Sequence, residues 1–121
     1  MTENDIIPFL LGVQAQLKVL HWQTKSYARH KAYGDTYEAL DGSIDEFVEV
    51  LQGRRGKNLE ANGTIQILNA NDKQLEDFLD ATVTQLESLG ALLSENETEL
   101  LNLRDEMLAG INKLRYLLTL S

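Results

Sequence analysis

Cysteine is absent from this 121-residue chain, so neither a disulfide framework nor a thiolate metal site is available to it. Positive charge is scarce: eleven basic against nineteen acidic side chains leave a net charge of −8. That balance repels phosphate backbones and anionic lipid and favours cations, which argues against nucleic acid as a partner. No apolar run approaches the roughly 18 residues that a membrane span needs. The opening MTENDIIPFLLGV is acidic where a secretory signal is basic. The expectation is a soluble, cytoplasmic protein with no membrane partner. Two glycosylation patterns, Asn62-Gly63-Thr64 and Asn96-Glu97-Thr98, carry little weight without a secretory route. Proline occurs once, and strand-type alternation and internal repeats are missing.

What is present is helical periodicity. With 43% hydrophobic and 25% charged residues the chain is ordinary for one globular domain spanning 1–121, and it is too short for two cores. Four segments repeat apolar residues every three or four positions: about 5–25, 29–52, 73–93 and 96–120. The first carries Ile6, Phe9, Leu10, Val13, Leu17 and Leu20, widened by Ile7, Leu11 and Val19. The second carries Tyr33, Tyr37, Leu40, Ile44, Phe47, Val48 and Leu51, and Gly53 reads as its stop. Asn71 and Asp72 are cap candidates for the third, and Ser94-x-x-Glu97 reads as a capping box for the fourth.

The links between segments set the topology. The first and third are short, but GRRGKNLEANGTIQILNAND, from Gly53 to Asp72, is longer than an antiparallel hairpin of helices needs. A 24-residue helix is about 36 Å long, and 20 extended residues reach about 66 Å, so the link is able to traverse the molecule end to end. Two helical hairpins joined by one long crossover form the ferritin-like topology; an up-down arrangement with a loose loop is the alternative. The expected fold is all-α, a ferritin-like four-helix bundle with a crossover between helices 2 and 3.

Both histidines fall in one stretch, HWQTKSYARHKAY, with His21 near the end of the first helix and His30 opening the second. Imidazoles ligate divalent metals well and carboxylates complete the shell. At 100° per residue, Asp41, Asp45, Glu38 and Glu49 fall between about 20° and about 100° from His30, bordering the apolar face. A tryptophan beside a histidine is commonly packing, and acids on a charged helix are commonly solvated, so each feature alone is weak.

Together, LKVLHWQTKSYARH and ALDGSIDEFVEVLQG resemble the Dps family of miniferritins over about Leu17 to Gly53. The resemblance implies an iron-oxidation site in which His21, His30, Asp45 and Glu49 are metal ligands, with Fe(II) bound and oxidised by peroxide or oxygen. Zinc suits the same ligand types. Trp22 would lie nearby, most simply as packing. The chain departs from that pattern in three places: the segment between the histidines is shorter, Gly34 stands where the family commonly has an aspartate, and the basic DNA-binding tail is missing. The HWQTKSY…H run is also similar to short uncharacterised proteins of phages and large DNA viruses.

Reach constrains this assignment. His30 and Asp45 on one helix are about 22 Å apart, against coordination bonds of roughly 2 Å. The acids must therefore come from a second subunit packed antiparallel, and the expected minimum is a homodimer with two equivalent sites. Two readings stay open: an iron-binding ferroxidase or storage protein, or a metal-free helical interaction protein that has lost the chemistry. Arg54, Arg55 and Lys57 are read as cations complementing a helix C-terminus. The acids of the last two helices, among them Glu76, Asp77, Glu87, Glu97 and Glu99, are read as solvated surface.

Overall fold

A computed structural model describes residues 1–120, and among them every regular element is helical. After a 3-10 turn at Glu3–Asp5 come α1 (Ile6–Gln23), α2 (Tyr27–Arg55), α3 (Asp72–Gly90) and α4 (Thr98–Leu118). None of these helices is long and apolar enough to cross a membrane.

Local chemistry explains most of the boundaries. Ser26 caps α2 by accepting from the Arg29 N–H at 3.2 Å. Asn71 and Gln74 form a reciprocal capping box at the start of α3, with bonds of 2.9 and 3.0 Å. Helix 2 does not stop at Gly53. It runs two residues further, to Arg55, and ends at Gly56, whose φ of 68° is the left-handed conformation that glycine adopts freely. A helical glycine costs only about 1 kcal/mol, which burial of Phe47 and Leu51 and the ion pairs of Arg54 and Arg55 outweigh. Helix 3 ends at Gly90, not near Leu93: the Arg104 guanidinium of α4 lies against Gly90 and donates to the carbonyls of Leu86 and Glu87 at 3.2 and 3.4 Å. Helix 4 starts at Thr98, not Asn96. The Glu97 carboxylate accepts from the Ser94 N–H at 2.9 Å, so the Ser94–Glu97 pair closes the turn before the helix and does not cap its first residues.

Cross-contacts give the direction of each helix. Gln14 at 2.8 Å from Asp41 and Glu3 at 2.9 Å from Arg55 make α1 and α2 antiparallel. Arg55 also reaches the Leu92 carbonyl, just past α3, and Glu97, just before α4. The C-terminal ends of α2 and α3 therefore meet the start of α4, and α2 and α3 run the same way. The link from 56 to 71 must cross the full length of the molecule, and it does so alongside α1. Gly63 packs against Pro8, Gly12 packs against Ile65, Gln16 exchanges two 2.9 Å bonds with the Leu68 backbone, and Gln23 reaches Asn69 at 2.6 Å.

One core joins all four helices. Ile6, Leu10, Leu17, Phe47, Leu51, Leu86, Leu89, Met107 and Ile111 are almost wholly removed from water, and each such side chain contributes roughly 1.5–3 kcal/mol of transfer free energy. Leu11, which the sequence placed on the widened stripe of α1, is instead 46% exposed.

Candidate metal centre at the histidine corner

The hairpin between α1 and α2 stacks the two imidazoles, with centroids 3.8 Å apart and planes inclined by 19°. His21 Nδ1 lies 2.7 Å from the His30 carbonyl oxygen, and His30 Nδ1 lies 2.7 Å from the His21 carbonyl oxygen. A carbonyl only accepts, so both Nδ1 atoms carry the proton and donate. In each neutral ring the remaining lone pair is then on Nε2. This is the arrangement of a metal-ligating histidine, whose other nitrogen is commonly tied to a carbonyl that fixes tautomer and ring orientation.

Gly34 has a physical role in this pairing. A Cβ at position 34 would come within 2.9 Å of His21 Cε1 and 3.0 Å of Nδ1, so the ring rests directly on the backbone of α2. The residue that departs from the Dps pattern is the one that makes room for the stack. Below the corner Tyr33 is buried; burial raises its phenol above the ordinary value while the neighbouring Arg29 pulls the other way. Around it Trp22 and Tyr27 stand out into solvent at 68% and 78% exposure, and Lys18 sits over the rings of Trp22 and Tyr37 at 5.6 and 4.7 Å.

The two acids form a second, separate pair. Asp45 and Glu49 lie one turn apart on the exposed side of α2. The neighbouring Asp45 carboxyl above all, with slight desolvation and the Glu46 charge, raises the Glu49 pKa. Because Gln14 meets Asp41 and His21 meets Gly34, each step forward on α1 is one step back on α2. Asp45 is thus level with Leu10, about 16 Å down the axis from His21 at 1.5 Å per residue. The structure assembles the histidine pair and the carboxylate pair and holds them apart within the chain. Among the described residues no group of three or more potential ligands converges.

The C-terminal end of α2 carries a cluster that the sequence reading misassigned. Glu97, expected on a solvated face, is buried. Its carboxylate accepts from Arg54 Nε at 3.0 Å and from both terminal nitrogens of Arg55, one at 3.1 Å, while Arg55 Nε reaches Glu3 and Arg54 also pairs with Glu99 at 3.4 Å. The Arg55 bonds first, then the Ser94 N–H, pull the Glu97 pKa down to about 2 against burial. Arg54 and Arg55 clamp two helices together and do more than complement one helix end. The Ser94-to-Glu97 spacing was the available signal, since it returns that carboxylate to the turn beside α2.

A family described as "Family of unknown function (DUF5856)" matches residues 21–118 of this chain, a span that contains both histidines and both acids. A protein of Enterobacteria phage T4, described as an uncharacterized 14.6 kDa protein in the mobD-ri intergenic region, is 39% identical over 54 residues. That alignment covers 45% of this chain and 42% of the phage protein, so the chain spans less than half the length of this relative. No solved structure matches.

Proposed function

The chain belongs to DUF5856, a family of unknown function, and we propose for it the activity of a Dps-like iron-binding protein. His21 and His30 of one copy and Asp45 and Glu49 of a second copy form the ligand set in this reading. Iron(II) is the substrate, oxidised by peroxide or oxygen, and storage of the ferric product is the further step. The four helices and the crossover along α1 are taken as a ferritin-like four-helix bundle, and the setting as cytoplasmic. One observation carries the proposal. The reciprocal 2.7 Å bonds fix both Nδ1 protons and leave the Nε2 lone pair of each half-buried, stacked ring unused by the fold, the type of donor a soft-to-borderline cation prefers. The carboxylate pair supplies the anionic half, and the charge that raises Glu49 is the charge a cation would neutralise.

A second reading has its own support. Gly34 lies under the His21 ring and supplies no carboxylate, and no complete ligand group exists within one chain. A metal-free helical interaction protein accommodates both facts. Titration of the purified chain with Fe(II) and with Zn(II), read alongside molar mass in solution, separates the two. The iron reading expects one ion per chain bound by an oligomer, Fe(II) oxidation, and loss of binding in His30→Ala and Asp45→Ala. A monomer that binds neither metal excludes it.

A further inference from the structure

Asparagine is thermolabile because the backbone nitrogen of the next residue can attack its side-chain carbonyl carbon. That attack needs the next N–H free of a hydrogen bond, no side chain on the next residue in the way, and backbone able to turn. The chain holds eight asparagines, and the fold restrains all but one. After Asn4, Asn58 and Asn96 the next N–H is taken, donating to the Thr2 carbonyl, to Gln52 and to the Ser94 carbonyl at 3.0, 2.9 and 2.9 Å. Asn102 and Asn112 lie inside α4, whose ladder holds the N–H groups that follow them. Asn69 and Asn71 precede residues with a Cβ, and their side-chain oxygens accept from Gln23 and from the Gln74 N–H at 2.6 and 2.9 Å. Asn62 meets all three conditions. It is exposed, it spends only Nδ2, on Glu60 at 3.2 Å, and it precedes Gly63, whose φ of 137° suits glycine and few other residues. The crossover is pinned at Leu59 by Gln52 and again at Leu68 by Gln16. Among the described residues no backbone group of 60–67 makes a hydrogen bond, so turning this stretch breaks none.

We propose that Asn62 is a site of spontaneous deamidation, and that the change releases the crossover from the start of α1. The Gly63 nitrogen gives its proton to hydroxide and bonds to the Asn62 side-chain carbonyl carbon. The bond to Nδ2 breaks, ammonia leaves, and a cyclic imide remains. Water then opens one of the two imide carbonyls. One opening leaves aspartate at position 62; the other leaves isoaspartate, in which the main chain runs through Cβ. No oxidant, metal or enzyme takes part. Either product sets a carboxylate beside Glu60, where the amide had donated a hydrogen bond, and isoaspartate also lengthens the main chain between the anchors at Leu59 and Leu68. What holds this stretch to α1 is small and apolar: Gly63 on Pro8 and Ile65 on Gly12. The same residues wall a cavity of about 440 Å³ that reaches Phe78 of α3, so their release opens the space between α1 and α3. Asn62 lies outside the ligand set proposed above, and its fate is independent of metal.

The test ages the full chain in mildly alkaline buffer and follows it by isoelectric focusing and by peptide mapping with mass detection. A more acidic form should accumulate, faster as pH rises. The mass gain of an amide turned acid should be confined to the peptide that holds Asn62, with aspartate and isoaspartate both present, while Asn96 keeps its amide. Asn62→Gln, whose longer side chain closes the ring far more slowly, should lose the acidic form and keep the helix content of the natural chain by circular dichroism. A protease that cuts at aliphatic residues should cleave the aged natural chain at Ile65 and Ile67 several-fold faster than Asn62→Gln aged beside it. An Asn62 that keeps its amide in the folded chain while the urea-unfolded chain converts, earlier conversion at Asn96, or aspartate with no isoaspartate would each overturn the assignment. Equal cleavage of the two aged chains would overturn the release of the crossover.

Discussion

Both ends of α2 gather polar side chains from distant parts of the chain, to opposite effect. At the C-terminal end Arg54, Arg55, Glu97, Glu3 and the Ser94 N–H use one another, and Glu97 is left with no exposed charge to offer. At the N-terminal end His21 and His30 each spend Nδ1 on the fold and leave Nε2 without a part in it. A structural cluster consumes its own hydrogen-bonding capacity; a site keeps some in reserve. Charge density alone does not separate the two, since the structural end is the more highly charged.

Substitutions at the two ends should therefore affect different measurements. The largest effect is expected at the corner: His30→Ala should weaken Zn(II) binding by more than the roughly 10–100-fold that outer partners of a metal ligand are worth, while the metal-free chain loses only about 1 kcal/mol for one hydrogen bond. Equal losses in both measurements would erase the contrast. Glu97→Gln should behave inversely, lowering the thermal midpoint by several degrees because Arg55 is left half-buried with a weakened partner, and leaving Zn(II) affinity unchanged.

The pH dependence sharpens the same point. The Glu97 pKa is depressed in the folded state from 4.5 to about 2, so the unfolded chain binds the proton more readily. Its stabilising contribution is full above the unfolded value and is lost as pH falls from about 4.5 to about 2. Denaturant midpoints of the natural chain should fall across that window, and Glu97→Gln should flatten this part of the curve. A smaller effect is expected from Gly34→Ala, which pushes the His21 ring off the α2 backbone: Zn(II) affinity should drop about tenfold with helix content by circular dichroism unchanged. The smallest is Gly53→Ala. Gly53 is helical with open space at its Cβ position, so alanine should stabilise by about 0.5–1 kcal/mol. A loss of stability there would mean that α2 ends earlier.

Four helices and the crossover were legible in the sequence because apolar spacing and link length report directly on burial and reach. The helix ends were less so. Gly53 and Gly56 both qualify as stops, and only the cross-chain pull of Glu97 on Arg54 and Arg55 decides between them. The corner was legible as a pair of histidines one hairpin apart. Their reciprocal carbonyl bonds were not, since these depend on the turn that Ser26 and Thr24 make. Gly34 read as a missing ligand, and the close approach of the imidazole gives it a positive reason to be glycine.

The central claim is that the histidine pair and the carboxylate pair meet only between copies, and complementation tests it most directly. A His21→Ala/His30→Ala chain and an Asp45→Ala/Glu49→Ala chain are each expected to bind no Zn(II). After mixing and exchange, half of the dimers carry one intact site, so binding should return to about one quarter of the natural level. A mixture that binds no more than its separate components, or either variant binding alone, would contradict the account.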